Sequence, residues 1–220
     1  LLLDYSKNQR MTNMMIAIIV TFSCVVGFWN LNGVRMWTAA HMFFYGTFLL
    51  LVHGNRKGLV IAVLSILVHF SFILPIGVLL FFYFIKIPWR ILYFFFIASF
   101  SITTLNLDSV RSQLESIAPD FLLPRVKSYT SDEYVEVISD LNESGNWYIS
   151  YYKTSLSWYL MILFSLIYFS IAKNNTYGKS FSNLFGFSLL LMSIGNITSL
   201  LPSGSRYLLV AQLFGMALIY

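Results

Sequence analysis

The residue pattern predicts an all-α, polytopic transmembrane protein with about eight membrane segments and an extracytoplasmic loop that carries short amphipathic helices. Three observations lead there. Of 220 residues, 58% are hydrophobic and 10% charged, with a mean hydropathy of +0.73; a soluble domain carries about a quarter charged residues. Asp, Glu, Lys and Arg are absent from the long intervals Met11–Val34, Met36–Asn55, Gly58–Ile85, Ile91–Leu107, Thr154–Ala172, Ser180–Ser205 and Tyr207–Tyr220, and a helix needs about 20 apolar residues to cross a hydrocarbon core. The basic residues Lys7, Arg10, Arg56, Lys57, Lys86, Arg90, Lys173 and Lys179 all fall in short loops on one side, which the positive-inside rule makes cytoplasmic. Only closed hydrogen bonding survives in lipid, and the apolar/polar alternation of a barrel is missing, so the spans are helices.

The expected segments are roughly 11–29, 36–52, 59–70, 73–85, 90–106, 155–172, 180–201 and 207–220. The first holds Cys24, the only cysteine, so no intrachain disulfide forms. The second starts behind Arg35 and ends before His53-Gly54-Asn55-Arg56-Lys57. The third and fourth divide Gly58–Ile85 at Ser71–Pro75. One long span there would put Lys86, Arg90, Lys173 and Lys179 outside, against the positive-inside rule. Two short or tilted segments that dip to mid-depth and return avoid this. The remaining four follow from the other uncharged intervals. The chain opens on Leu1-Leu2-Leu3-Asp4 and stops inside an apolar run at Tyr220. It is therefore expected to be a fragment, truncated at both ends, of one integral-membrane domain covering 1–220.

Loop 107–154 is placed outside. Leu107, Val110, Leu114, Ile117 and Phe121 repeat at helical spacing, which predicts a short helix at about 108–118. Thr130-Ser131-Asp132-Glu133 reads as a capping box ahead of Tyr134, Val137, Ile138 and Leu141, with Gly145 as the stop. A second helix is thus expected at 131–143. Eight of the nine acidic residues lie in this loop.

Four features bear on chemistry. Asn30-Leu31-Asn32-Gly33-Val34-Arg35 turns outside and re-enters as a helix. Arg35 there is either a snorkelling or headgroup-binding residue or a fixed cation beside helix N-terminal amides, suited to phosphate. Pro202-Ser203-Gly204-Ser205-Arg206-Tyr207 repeats the layout, and two such arginines on one face suit a pyrophosphate better than one. Ala62, Ser65 and His69 share a helix face at spacings of three and four. A lone His is usually satisfied by a neighbouring backbone group or hydroxyl, but an ionisable group at this depth suggests function; His41 and His53 are weaker candidates. Trp147, Tyr148, Tyr151, Tyr152, Trp158 and Tyr159 form either an interfacial belt or a surface for sugar stacking. No HExxH, CxxC or Asp-rich motif points to a metal, and no Walker A loop, dinucleotide fingerprint or GxSxG elbow occurs. No cofactor and no nucleic-acid partner are expected.

The order Asn32-Gly33-Val34-Arg35 … Ala39-Ala40, then Asn55-Arg56-Lys57, then Leu67-Val68-His69-Phe70-Ser71, with Gly204-Ser205-Arg206-Tyr207 later, resembles the EpsG/Wzy-type polysaccharide polymerases. The similarity covers residues 30–85 and 200–210. It implies a glycosyltransferase of the bacterial plasma membrane that joins repeat units carried on undecaprenyl diphosphate, outside the membrane, into capsule, exopolysaccharide or O-antigen. Arg35 and Arg206 would then hold the diphosphate, supported by Asn32, Ser205 and Tyr207. His69 is the expected base, with Asp108 a second candidate. The implied partners are the lipid-linked oligosaccharides, membrane lipids, and the flippase and chain-length regulator of the same pathway. A flippase-like oligosaccharide transporter and an O-antigen ligase are the competing expectations.

Overall fold

The computed structural model describes Ile16, residues 33–85, 87–102, 107–117, 147–174, 178–201 and 204–218, and the isolated positions 123, 124, 127, 131, 133, 134, 136 and 137. Among the described residues the protein is all-helical, without strands. Its helices are α1 (Val34–Leu51), α2 (Lys57–Val68), α3 (Ile73–Phe84), α4 (Trp89–Ser99), α5 (Leu107–Ile117), α6 (Trp147–Asn174), α7 (Lys179–Thr198) and α8 (Ser205–Ala217), with a 3₁₀ turn at Phe70–Phe72. Two of them, through Thr154–Lys173 of α6 and the whole of α7, are long and apolar enough to cross a membrane. The other apolar helices are shorter, so the expected eight segments are not matched by eight helices of membrane length. The expected segment 11–29 lies outside the described residues apart from Ile16, which is helical.

Local chemistry explains the breaks. Helix α1 ends where Gly54 takes a φ of 65°, a conformation open to glycine at no steric cost. The Asn55 N–H reaches back to the Leu49 carbonyl at 3.0 Å, and the Asn55 side chain accepts the Lys57 N–H at 3.0 Å to launch α2. Residues 59–85 hold two helices rather than one. Pro75 has no N–H to offer the Ser71 carbonyl, and its ring would collide there in a continuous helix. In the first turn of α3 the missing donor costs nothing, because those N–H groups have no intrahelical partner. The chain breaks at His69, which is extended (φ −147°, ψ 113°). At about 1.5 Å per residue, α2 and α3 rise only about 18 Å each.

Helices α1 and α2 pack through small residues. A Cβ on Gly46 would meet the Ala62 nitrogen and the Gly58 carbonyl oxygen at 2.5 Å, and one on Gly58 would meet the Gly46 carbonyl. Small-residue faces of this kind let backbones approach closely. Helix α4 lies against α6 and α7. Tyr93 stacks on Tyr168 at 3.8 Å and donates to Ser165 Oγ at 2.9 Å, while Asn196 on α7 donates to Ser99 Oγ at 2.9 Å.

Four phenylalanines tie the bundle together. Phe43 of α1 lies 5.8 Å from Phe72 of the 3₁₀ turn, 6.3 Å from Phe187 of α7 and 5.7 Å from Phe214 of α8. Phe187 and Phe214 are 5.1 Å apart, edge to face. All four are buried, and tilted or edge-on aromatic pairs add to the energy of their burial.

In the expected loop 107–154, α5 spans Leu107–Ile117, one residue ahead of the expected 108–118. The Tyr134 N–H donates to Ser131 Oγ at 3.3 Å, a helix-capping contact, and residues 133, 134, 136 and 137 are helical. The rest of the expected 131–143 helix lies outside the described residues. Helix α6 begins at Trp147, so the loop is shorter than the expected 107–154. The first turns of α6 carry Trp147, Tyr151 and Tyr152, followed by Lys153, Thr154 and Ser155.

Candidate anion site at two helix mouths

Arg35 and Arg206 enter the structure by the same local device. Each is the second residue of its helix, behind a glycine that caps without a side-chain bond (Gly33 for α1, Gly204 for α8), and neither first turn holds an acidic residue. No side chain caps either N-terminus, and the positive end of the helix dipole there favours anions, although at α8 the Tyr207 N–H already bonds the Gly204 carbonyl. Both arginine side chains are exposed.

The phenylalanine cluster sets their heights. Arg35 lies eight residues above Phe43 and Arg206 eight residues above Phe214, about 12 Å along each helix at 1.5 Å per residue. Phe43 and Phe214 touch edge to face, so each arginine stands the same number of residues from a shared contact. His69 reaches the same region from below. With Gly46 backed onto Ala62, the helical rise puts His69 about 6 Å deeper than the Arg35 backbone, a drop that an extended arginine side chain covers. The positive charges of Arg206 and Arg35 both act on the His69 imidazole. Among the described residues, then, Arg206 and Arg35 are both near enough for their charges to act on His69, where the α2–α3 pair breaks.

His69 does not continue the helix face of Ala62 and Ser65, which are buried. The helix stops at Val68, and the extended backbone of His69 turns its ring out of that register. Its Nδ1 lies 2.6 Å from Ser71 Oγ and accepts the Ser71 N–H at 3.4 Å. Phe72, just beyond, sits in the aromatic cluster with its ring 6.4 Å from His69. Phe72 thus ties the break to Phe43 of α1, which in turn meets Phe187 of α7 and Phe214 of α8.

Of the supporting candidates, Ser205 is the first residue of α8 and half-buried, and the Tyr207 N–H donates to the Gly204 carbonyl at 3.0 Å. Asn32 lies outside the described residues; Asp108 is helical within α5, with its side chain outside them. His41 bonds the Trp37 carbonyl through Nδ1 at 2.7 Å and stands on a different turn of α1 from Arg35. Trp147, Tyr151, Trp158 and Tyr159 are exposed along α6. Sequence reasoning quoted Ser71 within the His69-Phe70-Ser71 stretch but gave it no role of its own. It also missed Gly204's enclosure: a Cβ there would run into the Thr198 carbonyl at the end of α7.

No protein-family model, no curated protein and no solved structure matches the chain significantly.

Proposed function

We propose that the chain is a membrane glycosyltransferase that polymerises undecaprenyl-diphosphate-linked oligosaccharide repeat units at the outer face of the bacterial plasma membrane. The observation behind this reading is that the charges of Arg35 and Arg206, each second in a helix without a side-chain cap, both act on His69. Two guanidinium forks facing one region suit a diphosphate, whose several oxygens accept parallel hydrogen bonds. In the reaction the anomeric carbon of the growing chain loses its bond to the lipid diphosphate and gains one to a hydroxyl oxygen of the next lipid-linked unit. Cations that bind more tightly as charge builds on the departing diphosphate accelerate that step.

On this reading the chain enters the membrane about eight times, with α2 and α3 as a pair that meets at mid-depth. Irregular backbone is tolerated there only where it is buried in protein or lines a cavity. The large apolar side chains exposed along α6, Trp158, Ile162, Leu166 and Phe169 among them, would face lipid. The flippase and chain-length regulator of the pathway are proposed partners. Transport is less well supported: the buried hydroxyls of Ser65, Ser188 and Ser193 bond back to their own helices, and the side-chain bonds Asn196–Ser99, Gln212–Ser157 and Tyr93–Ser165 join helices in pairs.

The test is deletion of the gene followed by gel analysis of surface polysaccharide. Collapse to single repeat units is expected, with the ladder restored by the wild-type chain but not by Arg35→Lys at matched membrane levels. Full-length polymer stranded on its lipid carrier would instead indicate a ligase, and an unchanged ladder would refute polymerisation.

A further inference from the structure

We infer that His69 acts as a neutral hydrogen-bond donor, through its Nε2–H, to the anion held by Arg35 and Arg206, and that Ser71 is the positioning residue that sets this tautomer. The inference rests on the diphosphate reading of the site and replaces the expectation that His69 is a base. Its ground is the bonding at Nδ1. The Ser71 backbone N–H donates to Nδ1 at 3.4 Å, and Ser71 Oγ lies 2.6 Å from the same atom. A backbone N–H is only ever a donor, so the nitrogen it meets must present a lone pair. The Ser71 hydroxyl, free to rotate, then donates to that lone pair as well. Nδ1 thus accepts twice, and the single proton of the neutral ring resides on Nε2.

Nε2 has no hydrogen-bond partner among the described residues, and both guanidinium charges act on this ring. An N–H donor beside two cations complements an anion. A base there would need its lone pair on Nε2, and so its proton on Nδ1, where Ser71 already points an N–H. The acceptor proton must then go elsewhere. The departing diphosphate can take it: as the anomeric C–O bond breaks, the leaving oxygen gains the electron pair, and the acceptor hydroxyl passes its proton to a diphosphate oxygen as the new C–O bond forms. His69 holds that diphosphate without changing its own protonation.

Two measurements on the full chain in lipid nanodiscs test this, and neither needs polymerisation. The chain has three histidines, so nitrogen NMR with labelled histidine, assigned by loss of a signal in His69→Gln, reads the tautomer directly. The Nε2-protonated form is expected in wild type and in Ser71→Thr, and it should remain dominant in Ser71→Ala, which loses the hydroxyl but keeps the backbone N–H that meets Nδ1. Binding of inorganic pyrophosphate reads the donor. Glutamine can place an amide N–H near the position of Nε2–H, so His69→Gln should stay within about threefold of wild type. His69→Ala should lose about tenfold or more, the scale of a hydrogen bond to a charged group. A ring protonated on Nδ1, or His69→Gln as weak as His69→Ala, overturns the donor while leaving the diphosphate site standing. Wild-type chain that fails to bind pyrophosphate overturns the site itself and the donor's target with it.

Discussion

The mouths of α1 and α8 share a layout but are built differently. Both put an arginine two residues behind a capping glycine and eight residues above a phenylalanine of the shared cluster. At α8 the glycine itself is the anchor, since Gly204 is pressed against the end of α7 with no space for a side chain. At α1 the anchor lies deeper, at the Gly46–Gly58–Ala62 contact with α2, and Val34 beside Arg35 is exposed. Two unrelated packing solutions thus place two arginines whose charges both act on His69.

The comparison can be broken at three depths. Phe72→Ala acts on the floor that both mouths share. Emptying a buried phenylalanine site costs about 3–5 kcal/mol, and with the His69 break unpinned, pyrophosphate binding should fall together with thermal stability. A variant of wild-type stability would show that the cluster does not set the site. Gly204→Ala and Gly46→Ala act on one mouth each. Overpacking of this kind costs about 1–3 kcal/mol. Gly204→Ala should displace Arg206 from its level and leave the α1–α2 pair intact. Gly46→Ala should push α2 and the His69 break away from α1. Cysteine crosslinking between α1 and α2 separates the two cases, and equal loss of that crosslink in both variants would erase the distinction drawn here.

How far the sequence could be read follows from the same physics. The α5 helix was legible because its apolar residues recur among polar ones. The division of 59–85 was legible from Pro75 and from the charges flanking the interval. The aromatic cluster was not, because Phe43, Phe187 and Phe214 sit in stretches that are apolar on every side. Where lipid-facing and core-facing positions are equally hydrophobic, periodicity carries no signal. Helices α6 and α7 illustrate this: both pass for membrane spans by composition, yet 17% of the one and 67% of the other is buried within the protein. The layout around the two arginines could be read because glycine, serine and arginine stand out against such a background. The turn of His69 away from the Ala62–Ser65 face could not, since it depends on where α2 stops.

A double-mutant cycle on pyrophosphate binding, measured by calorimetry on the full chain in nanodiscs, tests most directly whether both arginines hold one anion. Lysine keeps the charge but not the two-pronged fork, so Arg35→Lys and Arg206→Lys should each weaken binding, by as much as about 10–150-fold if the whole charge-assisted contact is lost. If both forks grip the same diphosphate, the losses are coupled, and the double variant departs from the sum of the singles by about 0.5 kcal/mol or more. Losses that simply add, or single variants that bind as wild type does, would mean that the two arginines serve separate sites and would contradict the account.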